Sequence, residues 1–155
     1  MDNPFMAHAI RLALDNVRTG HGGPFAALVV RGPTILAEGT NLVTATNDPT
    51  AHAEITAIRN ACRHINSFQL TGCDIYTTCE PCPMCLGAIY WSRADRIFFA
   101  GSREDAAAAG FDDAWLYREV ALPIEARKIP MIPLMRAESQ AVFEAWRASP
   151  NRIDY

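Results

Sequence analysis

His52-Ala53-Glu54 and, further along, Glu80-Pro81-Cys82-Pro83-Met84-Cys85 are the stretches on which the reading of this chain turns. Imidazole and thiolate together suit Zn²⁺, which prefers nitrogen and sulfur donors in a tetrahedron. Cys82 and Cys85 lie three apart at the start of a helix predicted over 83–91, with Pro83 where its missing N–H costs little. That spacing puts both sulfurs on one helical face, and a helix N-terminus favours their thiolate forms. His52 opens a second predicted helix, over 52–62. Three protein ligands leave a fourth position for water, the pattern of a catalytic zinc site. Zinc lowers the pKa of such a water from 15.7 to about 7, roughly 12 kcal/mol toward hydroxide. Glu54 is then the carboxylate that moves protons. Residues two apart in an ideal helix point nearly opposite ways. His52 must therefore sit at the very edge of its first turn for both side chains to reach one pocket. Cys79, three before Cys82, leaves a second arrangement open. In it His52, Cys79, Cys82 and Cys85 close a structural zinc site with no free position.

Outward from these two helices, periodicity gives alternating elements. Phe5, Ala9, Leu12, Ala13 and Val17 recur at helical spacing, predicting a helix over 4–18 that ends at Gly20 and Gly22-Gly23. Residues 25–30 and 35–41 read as strands joined at Gly32-Pro33, a hairpin. Further strands are expected at 74–78 and 96–100, with a short fifth near 132–134. Helices are expected at 114–119 and 138–147, and Ala106–Ala109 is either helical or a lead into Gly110. A hairpin followed by strand–helix alternation predicts an α/β fold, a mixed five-stranded sheet flanked by helices in three α-β-α layers.

The 155 residues suit one domain, and with half of them hydrophobic the chain can bury a core without disulfides. No uninterrupted apolar stretch approaches the roughly 20 residues that span a bilayer. The first ten residues carry Asp2, Asn3 and His8 and lack the basic and apolar regions of a secretion signal. Lys and Arg number 14 against 17 Asp and Glu, and only Lys128 is a lysine. A nucleic-acid binder shows a basic excess or stripe, so the balance speaks for a small neutral ligand. The five cysteines are an odd count. Free thiols or a metal site in a reducing cytoplasm fit them better than a disulfide framework.

H-x-E with P-C-x-x-C is the signature of the zinc nucleobase deaminases, and the chain resembles them in His52-Ala53-Glu54 and Pro81-Cys82-Pro83-Met84-Cys85. The order of elements also resembles the cytidine-deaminase fold. Four stretches narrow the resemblance to the bacterial guanine deaminases of that fold: Gly22-Gly23-Pro24-Phe25, 47–54, 82–91, and Gly110-Phe111-Asp112-Asp113. The resemblance implies hydrolysis of guanine to xanthine and ammonia in purine catabolism. It implies zinc held by His52, Cys82 and Cys85, with Glu54 as proton shuttle and Asp113 assisting at the leaving amine. It places Asn41 on the purine edge, Phe25 stacked on the ring, and Ala53 against the substrate. Trp91 would close the pocket and Tyr155 would reach substrate from the carboxyl end. A homodimer is implied as well, with a segment from about residue 111 to 155 contacting or swapping onto a partner within one zinc-dependent deaminase domain.

Without that resemblance the same residues read plainly. Phe25 and Trp91 are then core, Asn41 a strand-end turn residue, Asp112 a helix cap and Asp113 a first-turn acid. A terminal Tyr155 is then a frayed end, and His8, His21 and His64 are surface or turn residues. Two other functions stay open at this point. One is deamination of another base or nucleoside: cytosine, cytidine, a triazine analogue or adenosine in tRNA. The other is a non-catalytic zinc-stabilised module.

Overall fold

The computed structural model describes residues 3–111 and 113–155; Asp112, read above as a cap, lies outside them. Contacts divide the chain into two compact units, Met1–Tyr117 and Arg118–Tyr155. The first unit begins with α1, Pro4–Arg18, entered through Asn3, whose side chain accepts from the Met6 N–H at 3.0 Å. Pro4 sits in the first turn, where no N–H is needed. The hairpin follows, β1 over Ala26–Arg31 and β2 over Thr34–Thr40, and Gly32 takes the left-handed turn at φ 56°.

Helix α2 (Val43–Thr46) is a single turn that periodicity does not reveal. Then come α3 (Ala53–Ile65), β3 (Asp74–Cys79), α4 (Pro83–Trp91) and β4 (Arg96–Gly101). Helix α5 (Arg103–Ala108) starts with a capping box between Ser102 and Asp105, which settles the alanine run as helical up to Ala108. Helix α6 spans Asp113–Ala121.

Among the described residues the sheet has four strands in the order β2-β1-β3-β4. β1 runs antiparallel to both β2 and β3, while β3 and β4 are parallel, linked through α4. Alternation along central β1 sends Ala27 and Val29 to one face and Leu28 and Val30 to the other. The first face packs on Ala53, Ala57 and Ala61 of α3 and Ile89 of α4. The second packs on Ala9 of α1 and on Tyr76, whose ring stacks on Phe98 at 4.7 Å. This is the three-layer arrangement expected, with α1 on one side and α3 and α4 on the other.

Small residues decide how close α3 comes. A Cβ on Gly39 of β2 would lie 2.3 Å from the Ala53 carbonyl oxygen and from the Ala57 nitrogen. Only glycine permits this backbone-on-backbone contact, and it fixes the height of the first turn of α3 above the sheet.

The fifth strand near 132–134 is not formed: residues 131–135 carry no regular structure. Pro130 stands just before that stretch and Pro133 in its middle, and proline offers no N–H to a ladder. The second unit instead contains a 3-10 turn at Ile124–Ala126 and α7 over Arg136–Ala148. Its turn is tied by Arg127, whose guanidinium donates to the carbonyls of Val120 and Leu122, and by the Lys128 N–H donating to Glu119. Ile129, Ile132, Leu134 and Val142 are exposed. Among the described residues no helix is long and apolar enough to cross a membrane.

Candidate metal centre and its pocket

The orientation problem posed by His52-Ala53-Glu54 has a local solution. His52 is not the first helical residue but the N-cap of α3, with extended backbone at φ −67° and ψ 158°. Its side chain makes no capping bond, so the imidazole leaves the helical track and Glu54, inside the first turn, can point toward the same place. Cys82 is likewise the N-cap of α4, and its sulfur accepts from the Cys85 N–H at 3.5 Å. Two positive helix ends thus meet at one cluster.

The His52 Nδ1 lies 3.7 Å from the Cys82 Sγ and 3.5 Å from the Cys85 Sγ. All three donor atoms fall within 4.8 Å of one another. Bonds of about 2.3 Å to sulfur and about 2.0 Å to nitrogen, at tetrahedral angles, set those donors about 3.5 Å apart. The residues present therefore fit zinc in type and in spacing. Hydrogen bonding from Cys85, then contact with His52, pulls the Cys82 thiol down to about 4. The Cys85 thiol moves up, through its bond to Cys82 and through burial, and the His52 imidazole is raised by Cys82.

Cys79 is outside this cluster. Its thiol donates to the Ser102 carbonyl oxygen at 3.5 Å, and burial pushes it up to about 11. A four-ligand site closed by a third sulfur is not what the chain builds, because Cys79 ends β3 while Cys82 and Cys85 belong to α4.

Glu54 is only 6 % exposed, and burial raises its carboxyl above the usual range. The Thr77 hydroxyl donates to its Oε1 at 3.1 Å. Thr77 escaped the sequence reading. Its signal is a polar residue on β3 sharing the α3 face with Ile75, and only the strand register reveals what it faces.

These groups open on a cleft of about 500 Å³, lined among others by Gly22, Gly23, Phe25, Asn41, Ala53 and Asp113. That volume suits a small-molecule site. Phe25 is half-buried, packed against the core at the cleft's edge, and Phe111 meets its ring edge-on at 4.8 Å. Asn41 is buried; its Oδ1 accepts from the Val43 N–H at 3.3 Å, and its carbonyl accepts from the Asn16 amide at 2.9 Å. Asn16 also donates to the Gly23 carbonyl at 2.9 Å, so one buried side chain from α1 clamps two pocket segments. A Cβ on Gly22 would sit 2.0 Å from the Asn41 oxygen, which is why that wall begins with glycine. Phe111, Val43 and Thr44 in the pocket wall, and Asn16 behind it, are residues that periodicity alone could not single out.

Asp113 begins α6 and lines the cleft, and its charge raises both His52 and Cys79. Trp91, expected to close the pocket or else to sit in the core, is not buried in the core. It ends α4 62 % exposed, under the Arg93 guanidinium. The buried face of α4 carries Cys85 and Ile89, and a residue two past Ile89 turns to the opposite side. Tyr155 ends the second unit 71 % exposed. His8 meets Glu38 and His21 meets Thr19, both at the surface, as expected of residues outside the site.

Known proteins share both the sequence and the fold. The cytidine and deoxycytidylate deaminase zinc-binding region matches residues 1–101. The guanine deaminase of Bacillus subtilis is 50 % identical over 151 residues, 97 % of either chain. A tRNA-specific adenosine deaminase of Haemophilus influenzae is 40 % identical over 117 residues, 72 % of this chain and 68 % of its own. An X-ray structure of guanine deaminase from Bacillus subtilis superposes with a TM-score of 0.96 at 49 % identity, covering 100 % of this chain and 99 % of the other.

Proposed function

We propose that this chain, which belongs to the cytidine and deoxycytidylate deaminase zinc-binding family, hydrolyses guanine to xanthine and ammonia. It is a zinc-dependent aminohydrolase. One observation carries the choice of base. Similarity to the guanine deaminase runs through 97 % of the chain, whereas similarity to the tRNA deaminase stops at 72 %. The acidic balance of charge supports the same choice.

His52, Cys82 and Cys85 are the residues that hold the ion. Zinc bound there supplies Lewis acidity that makes a water nucleophilic near neutral pH. Glu54, beside the site, would accept a proton from the water that attacks the ring carbon bearing the amine. It then returns a proton to the departing nitrogen, a two-way task suited to a buried carboxyl with a raised pKa. Asp113, facing the same cleft, assists the amine as it leaves. Asn41, with its amide oriented by Val43, reads the purine edge; Phe25, braced by Phe111, stacks on the ring; and Ala53 forms the floor beside the imidazole.

We place the chain in the cytoplasm and in purine breakdown, a reading supported by five free cysteines. We further read the whole chain as one deaminase domain acting as a homodimer. Residues 111–155 pack on or exchange with a second copy, covering exposed Ile129, Ile132 and Leu134 and bringing Tyr155 to the partner's pocket. Removing residues 153–155 should then impair guanine turnover; unaltered kinetics, or a monomer by size measurement, dispose of the dimer reading. The substrate is tested by ammonia release from guanine, cytosine, adenine, guanosine and cytidine. Release from guanine above the others is expected, and preference for any other compound overturns the assignment.

A further inference from the structure

We propose that Tyr117 is a positioning residue for the reaction, holding Asp113 in register with the metal-binding loop. This role rests on the guanine-deaminase reading of the cleft and goes past it. Asp113 and Tyr117 are both on α6 and four residues apart, so they share one helical face one turn from each other. The Tyr117 hydroxyl donates to the Pro81 carbonyl oxygen at 2.7 Å. Pro81 directly precedes Cys82, which presents a zinc-binding sulfur. One short bond thus ties the face of α6 that carries Asp113 to the loop that carries the ligand.

The tie is braced from behind. The Arg103 guanidinium lies 4.2 Å from the Tyr117 ring centroid, and the same guanidinium grips both carboxylate oxygens of Glu80. The Arg103 backbone N–H, at the start of α5, donates to Glu80 at 3.1 Å. Glu80, Arg103, Tyr117 and Pro81 therefore form a closed circuit around the 80–82 turn. None of the four is a proton-transfer group in the reaction. What the circuit determines is the distance from Asp113 to the groups held by α4.

The test is Tyr117→Phe, which keeps the ring on Arg103 and removes only the hydroxyl. With the zinc-loaded protein and guanine, kcat should fall about three- to tenfold, the worth of one hydrogen bond. KM and zinc content should stay unchanged. In an Asp113→Asn background the same change should have no further effect, because it acts through Asp113. Amide hydrogen exchange across 111–117 of the metal-free protein should quicken. An unchanged kcat, a full-sized effect in the Asp113→Asn background, or loss of zinc overturns the proposal. A wild-type chain inert on guanine overturns the substrate reading alone. Exchange, which needs no substrate, then decides the proposal: quickening upholds it and an unchanged rate ends it.

Discussion

Thr77→Val is the most direct probe of how the cleft aims its carboxyl. Thr77 is 1 % exposed and donates to Glu54 at 3.1 Å; valine keeps the shape and removes the donor. A hydrogen bond to a charged group contributes about 1.5–3 kcal/mol. The added methyl, fully buried, returns up to about 0.8 kcal/mol. The net loss of stability is therefore about 1–2 kcal/mol, too small to unfold a domain of ordinary stability. The effect on turnover should be larger in kind. Without Thr77 the carboxyl loses one of the contacts that orient it, and a misaimed proton carrier should cost about tenfold in kcat, near 1.4 kcal/mol.

The pH dependence has a definite sign. The Thr77 bond favours the ionised carboxylate and opposes the upward push of burial. Removing it raises the Glu54 pKa further, so the acid limb of kcat/KM moves to higher pH. Initial rates of guanine consumption across the pH range, with zinc content and denaturant unfolding measured on the same samples, read all three quantities. An unmoved acid limb together with an unchanged kcat would refute the reasoning that Thr77 aims Glu54.

The same geometry sets expectations for three other substitutions. Glu54→Gln should retain zinc and lose turnover, by a factor of about 100 or more; activity near wild type in a sample of verified zinc content removes Glu54 from the chemistry. Cys79→Ala should leave zinc content and the spectrum of the cobalt-substituted protein unaltered, since its thiol bonds Ser102; a changed sulfur count in that spectrum would make Cys79 a ligand. Gly39→Ala should drive β2 and α3 apart where 2.3 Å separates the new atom from backbone. A cost of about 3 kcal/mol lowers the melting temperature by roughly 10 °C, and a calorimetric shift under 2 °C would contradict the contact.

Elements whose signals are local are legible in the order of residues. α1 and α4 begin and end where Pro4, Arg18, Pro83 and Trp91 mark them, because a proline at a helix start, joined in α1 by an apolar stripe of period 3.6, is a property of adjacent residues. The paired sulfurs are legible for the same reason, as Cys82 and Cys85 share one turn. The 132–134 stretch reads as a strand only when its apolar character is weighed without the prolines that deny it a ladder.

Chemistry that depends on residues far apart in the chain is another matter. Whether His52 and Glu54 could face one pocket hung on a single extended residue at the mouth of α3. Whether Cys79 joined the donors hung on the Ser102 carbonyl. The partners of Glu54, Asn41 and Pro81, namely Thr77, Asn16 and Tyr117, come from another strand or helix in every case. The amino-acid order by itself therefore determined the layers and the kind of donors offered to a metal, written in the spacing within each element. Only the folded chain decided how each reactive group is aimed, because aim depends on strand register and helix height, and those are settled by close packing across the sheet.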